Sequence, residues 1–151
     1  MTANSEKTSS GVLKASETVS FSGITAEVMM GGEEAPFTVM RMTVEKGQGG
    51  PRHRSVTEDK VFHVISGRLA FLCGDEIATV AQGEVIHIPR DTQHSFRAIG
   101  EDAVMLLVSS PARHDRFFKD MDALPTPHDQ ADVMAVCERH MQVITGGVIE
   151  G

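Results

Sequence analysis

The chain has no tryptophan and no tyrosine. Ring stacking therefore falls to its seven phenylalanines and to histidine. It has two cysteines, Cys73 and Cys137, far apart and without a CxxC pair. A disulfide scaffold and a cysteine zinc site are thereby excluded, and both thiols read as core-filling groups. No basic cluster is present. Lys plus Arg is 14 against 21 Asp plus Glu, a formal charge of -7. Phosphate binding needs clustered cations, so nucleic acid and an anionic membrane surface are excluded as partners. No run approaches the roughly 18 apolar residues of a spanning helix. The polar start MTANSEKTSSG lacks the pattern of a signal peptide, which makes the cytoplasm the expected compartment.

What is present is a chain of 151 residues, 40% hydrophobic and 23% charged, suited to one domain with a substantial core. Residues 1–12 read as a disordered tail, 13–110 as a β-barrel and 111–151 as a helical appendage. In the barrel, residues 19–30 read as a strand broken at Gly23, and residues 37–44 as a buried strand. Residues 49–98 hold four of the seven histidines, His53, His63, His87 and His94, among short apolar runs closed by glycine turns. That rhythm predicts an antiparallel sheet. After Pro111, residues 113–122 and 130–141 have helical spacing. Phe117, Phe118 and Met121 share one face, and Asp129 is placed to cap the second helix.

Two segments carry a family pattern. The first is GGPRHRSVTEDKVFHVISG, residues 49–67; the second is GEVIHIPRDTQH, residues 83–94. With His53, Gly67, Gly83, Pro89 and His94 in register, the chain resembles a single-domain cupin over roughly residues 37–145. SSPARHDRFFKDM and the helix after it resemble the quercetin-dioxygenase-like branch. The resemblance implies an all-β jelly-roll barrel with short C-terminal helices. It also implies a homodimer, for which the apolar strand around residues 19–30 offers an edge. In the family, two histidines and a glutamate of the first motif, with the histidine of the second, hold a divalent metal such as Fe, Mn, Ni or Zn. Here the second histidine is Ser55, the glutamate is Lys60, the usual tyrosine is His63, and Asp91 replaces the inner glycine.

Three readings of the site follow. In the first, a metal sits on His53 and His94 alone, short of the ligands a zinc or non-haem iron centre needs. In the second, Glu58 or Asp59, turned inward by a bulge, or His87 completes the set. His63, at odd spacing from Lys60, faces the other way. In the third, the pocket is metal-free. Lys60 points inward between His53 and His94, with Ser55 beside them, and burial lowers its pKa for acid–base work or for holding an anion. Against that stands pairing of Lys60 with Glu58 or Asp59, or a reach to the rim. Phe62, Phe71 and Phe96 read as barrel fillers, Phe62 and Phe96 also as walls for a ligand. Arg41, Gln93 and Arg97 are expected at the mouth. Together these features point to a barrel binding a small organic molecule, and the resemblance implies a dioxygenase- or isomerase-type enzyme on an aromatic or polyketide-like substrate. The rival is a non-catalytic ligand-binding or structural barrel that has lost its metal.

Overall fold

A computed structural model describes residues 11–150. The expected tail lies outside them except for Gly11 and Val12. The chain forms β1 (Glu17–Phe21), β2 (Ile24–Met30), β3 (Thr38–Val44), β4 (Gly49–Ser55), β5 (Asp59–Ser66), β6 (Arg68–Cys73), β7 (Glu76–Ala81), β8 (Val85–Ile88), β9 (His94–Ala98) and β10 (Ala103–Ser110). Then come α1 (His114–Asp122), α2 (Gln130–Arg139) and β11 (Gln142–Val148). Two antiparallel sheets result, ordered β1-β2-β3-β10-β5-β8 and β11-β4-β9-β6-β7. This is the jelly-roll barrel that the two motifs imply.

Local chemistry explains the turns. Ser22 and Gly23 both have positive φ, 54° and 77°, so the expected strand over 19–30 folds back as the β1–β2 hairpin. Gly49 lies so close to β9 that a Cβ there would collide with the Phe96 carbonyl. Asp91, standing where the family has glycine, has φ 60°. Aspartate is among the few residues that tolerate this region, and its carboxylate accepts from Arg54 Nη1 at 2.7 Å.

The inner faces follow strict alternation. Along β5, Lys60, Phe62 and Val64 are buried, while Val61, His63 and Ile65 face out. Phe62, Phe71 and Phe96 stack at centroid distances of 5.1 to 6.0 Å and fill the barrel floor. Each such ring contributes about 1.5–3 kcal/mol by leaving water.

The C-terminus departs from the expected helical appendage. Both helices form, and Asp129 Oδ1 accepts from Ala131 N at 2.9 Å as the cap. Met141, with φ 56°, then turns the chain back, and β11 joins the five-stranded sheet beside β4. The helices are thus a strapped cover rather than a free extension. Helix α1 packs through Phe117 and Phe118 on Phe21, at 6.4 and 5.0 Å. Buried Asp115 ties its start to the β2–β3 loop, accepting from Gly32 N at 3.1 Å and Thr38 Oγ1 at 3.3 Å.

Candidate functional site

A cavity of about 220 Å³ opens between the barrel interior and the helical cover. Its walls are apolar, from Phe62 and Phe96 below to Phe117 and Phe118 above. Into it project the polar groups of His53, Lys60, His114 and Gln142. Apolar walls with a few convergent polar groups are the usual form of a small-molecule site.

Lys60 comes from β5 of the six-stranded sheet and reaches across to the other sheet. Its Nζ lies 3.0 Å from His94 Nε2 on β9, and the residue is 2% exposed. His94 Nδ1 lies 2.9 Å from the Thr92 carbonyl. A carbonyl only accepts, so Nδ1 carries the ring hydrogen and Nε2 accepts from Lys60. His53, opposite His94 in the β4–β9 ladder, is fixed in the same way, with Nδ1 2.6 Å from the Pro51 carbonyl. The two rings are 4.2 Å apart. His94 does not itself line the cavity; it stands behind Lys60 and positions it.

A second cluster adjoins the first. Glu58, in the turn between β4 and β5, is 1% exposed. Its Oε1 accepts from His114 Nδ1 at 3.2 Å and Gln142 Nε2 at 3.1 Å, and its Oε2 from Thr57 Oγ1 at 2.5 Å. Gln142 Oε1 in turn accepts from Ser55 Oγ at 2.6 Å. Arg113 Nη1 donates to Thr57 Oγ1 at 3.1 Å, leading the network toward the surface.

Burial and charge set the protonation states. Burial pushes the Lys60 ammonium down from 10.5 to about 7, against the pull of the Glu58 carboxylate. Burial first and the Lys60 charge second bring His53 to about 3 and His114 to about 4, and hold His94 far below its ordinary range. Burial would raise Glu58, but the hydrogen bonds from His114 and Thr57, with the charges around it, hold it at about 2. At neutral pH the site thus holds a carboxylate, neutral imidazoles and a lysine near its midpoint.

Several expected site residues lie elsewhere. Arg41 is exposed on the outer face of β3 and pairs with Glu27 at 2.9 Å, so it does not line the mouth. Gln93 is absent from the cavity wall, and its Oε1 accepts from Thr145 Oγ1 at 2.7 Å. His87 faces out from β8 because Ile86 and Ile88, opposite Phe62 and Lys60, take the inward phase. Asp59 is held by Arg90 at 2.8 Å, away from the cavity. Ser55 reaches the site only through Gln142. His114 was not singled out from the sequence, although a signal was there. It stands at i relative to Phe117, Phe118 and Met121 at i+3, i+4 and i+7, on the apolar face of α1.

The family's metal does not fit these donors. The Lys60 amine occupies the His94 lone pair that a cation would use, and Ser55 is committed to Gln142. The one buried carboxylate nearby, Glu58, is saturated by His114, Gln142 and Thr57. Among the described residues no group of three or more His, Cys, Asp or Glu is arranged to hold a cation.

Comparison with known proteins agrees with this architecture. Residues 40–110 match the Cupin_2 family, a cupin domain. The solved structure of KdgF from Halomonas sp. superposes with a TM-score of 0.63 at 18% identity, covering 71% of this chain and 99% of that one. Streptomyces PAC13 with uridine superposes with a TM-score of 0.62 at 19% identity, over 93% of this chain and 94% of that one. Pac13 is described as a unique nucleoside dehydratase. An uncharacterized protein of Streptomyces coelicolor is 43% identical over 54 residues, 36% of this chain. The match spans about half the length of that curated relative, 51%. The chain has the cupin fold. No helix among the described residues is long and apolar enough to cross a membrane.

Proposed function

We propose that this chain is a proton-transfer enzyme of the isomerase or lyase type that needs no metal. It holds a small enolisable or phenolic molecule with its oxygen against Lys60, inside a cytoplasmic homodimer. The observation that carries this reading is the Lys60 Nζ at 3.0 Å from His94 Nε2, a buried amine at the edge of an apolar cavity. A lysine near pKa 7 donates a hydrogen bond to an oxyanion and exchanges its proton with it at neutral pH. In water-poor surroundings that bond stabilises a developing enolate far more than in solution. The walls of Phe62, Phe96 and Phe117 suit one aromatic ring. The likeness to a nucleoside dehydratase over 93% of the chain supports a lyase reaction class. The oxygenase reading has less support, because two histidines with a free carboxylate are not assembled here.

The test uses 4-nitrophenol, whose phenolate is yellow and mimics an enolate. The protein is expected to bind the phenolate at pH values where the free compound is mostly protonated, and Lys60→Met to lose that preference. Absence of a bound phenolate in the unmodified protein would leave the non-catalytic ligand-binding barrel in place of this reading.

A further inference from the structure

Oxyanion stabilisation by Lys60 leaves the base that removes a carbon-bound proton unassigned, and three histidines line the cavity, His53, His114 and His128. His128, in the loop before α2, has no carboxylate on its ring among the described residues. His53 Nδ1 is bound to the Pro51 carbonyl, a neutral acceptor. His114 Nδ1 is bound to the Glu58 carboxylate. When an imidazole takes up a proton it becomes a cation. A carboxylate on the far nitrogen stabilises that cation directly, and a carbonyl does so only weakly. Glu58 is fit for the part. It is buried, ionised and held on both oxygens by Gln142 and Thr57, so it cannot turn away. Because a carboxylate accepts only, His114 carries its hydrogen on Nδ1, and Nε2 keeps its lone pair. That Nε2 makes no hydrogen bond among the described residues, and His114 lines the cavity. Its ring packs against Phe117 and Phe118, at 5.5 and 5.2 Å, which fixes its orientation.

We infer that His114, oriented by Glu58, is the catalytic base of the site, working across the cavity from Lys60 on a carbon acid such as a β-hydroxy or β,γ-unsaturated carbonyl compound. The inference rests on the reading of Lys60 as the oxyanion holder. In the step, His114 Nε2 takes the proton on the carbon beside the carbonyl. The C–H electrons form a C=C bond, and the enolate oxygen accepts a hydrogen bond from Lys60 Nζ. The imidazolium then returns the proton. In an isomerisation it goes to another carbon. In a dehydration it goes to the β-hydroxyl, whose C–O bond breaks as the carbonyl re-forms, and water leaves. Nothing is oxidised or reduced. The base arrives on α1, so the cover completes the site rather than only closing it.

The probe is 5-nitrobenzisoxazole. One base removes its C–H proton, the N–O bond breaks, and a nitrile and a coloured phenolate form, so turnover needs no knowledge of the natural substrate. The unmodified protein is expected to catalyse the opening. His114→Gln should lower kcat at least about 100-fold, with 4-nitrophenolate binding retained because Lys60 is intact. Glu58→Gln keeps an acceptor for Nδ1 but removes the charge, and should lower kcat by about 10-fold or more. That variant decides the matter if His114→Gln fails to fold. Undiminished turnover in the folded variants overturns the inference and leaves the Lys60 reading standing. So does loss of turnover in Lys60→Met alone, which would make Lys60 the base. Phenolate binding without any turnover by the unmodified protein overturns it as well. Loss of phenolate binding in the unmodified protein defeats the Lys60 reading itself.

Discussion

Lys60 Nζ and His94 Nε2, 3.0 Å apart, join the two sheets of the barrel through its interior. The direction of the bond is settled by the other side of the ring, where Nδ1 is committed to the Thr92 carbonyl. A buried cation-forming group thus stands where the family pattern has a carboxylate, and it takes the lone pair that a metal would need.

Restoring the pattern should restore the cation. Lys60→Glu together with Ser55→His is expected to bind iron, manganese, nickel or zinc near stoichiometrically, read by elemental mass spectrometry after dialysis against a weak chelator. The unmodified protein should hold far less after the same treatment. Equal metal content in the two would refute the account of the donor set.

Stability should depend on pH through the buried groups. His53 and His114 titrate near 3 and 4 in the fold and near 6.5 when unfolded. Between those values the unfolded chain binds more protons, so stability rises with pH there and is lost on acidification below 6.5. Each group contributes up to about 1.4 kcal/mol per pH unit. Glu58 continues the fall from 4.5 down to about 2. Lys60 adds a second rise between about 7 and 10.5, where it is neutral in the fold and charged in the unfolded chain. With no tryptophan or tyrosine, the midpoint is best followed by far-ultraviolet circular dichroism. Lys60→Met should flatten the upper window and make the acid limb shallower, because the Lys60 charge helps to hold His53 and His114 low.

Two glycines should respond to substitution very differently. Gly49→Ala drives a Cβ into the Phe96 carbonyl and should cost about 2–4 kcal/mol by parting β4 from β9. At Gly147 a Cβ meets nothing within 4 Å, so Gly147→Ala should change the denaturant midpoint little. Equal effects would mean that the close approach of the strands is not tight.

At Asp91 the backbone itself sets the demand. Asp91→Val forces a branched side chain into φ 60° and should destabilise by about 1–2 kcal/mol. Asp91→Gly relieves that constraint and loses only an exposed pair with Arg54, worth about 0–1 kcal/mol. Urea unfolding of both variants checks the order.

Association is expected as a homodimer. Val61, Ile65 and Val85 are exposed on the outer face of neighbouring strands β5 and β8, and β1 is a sheet edge among the described residues. Sedimentation velocity at micromolar concentration should show the dimer, and a monomer there would remove this expectation.

Much of the barrel could be read from residue order because its signals are local. Alternation places Lys60 with Phe62 and Val64, and glycines mark turns at Gly67, Gly74 and Gly83. His87 was harder. Its phase depends on pairing with β5, which brings Ile88 opposite Lys60 and sends His87 outward. Strand β11 was missed because its TGG segment lacks strand chemistry, and it forms by pairing with β4.

The sequence by itself determined the cupin barrel, the inward face of β5, and the presence of Ser55 and Lys60 where the resembled motif has a histidine and a glutamate. These follow from period-two alternation and motif spacing, which are properties of neighbours along the chain. Only the tertiary structure decided what Lys60 and Glu58 meet. His94, His114 and Gln142 lie 34, 56 and 84 positions from them. No local pattern encodes such pairings. They exist because the barrel closes and the C-terminal segment folds back over its mouth, burying polar groups that must then satisfy one another.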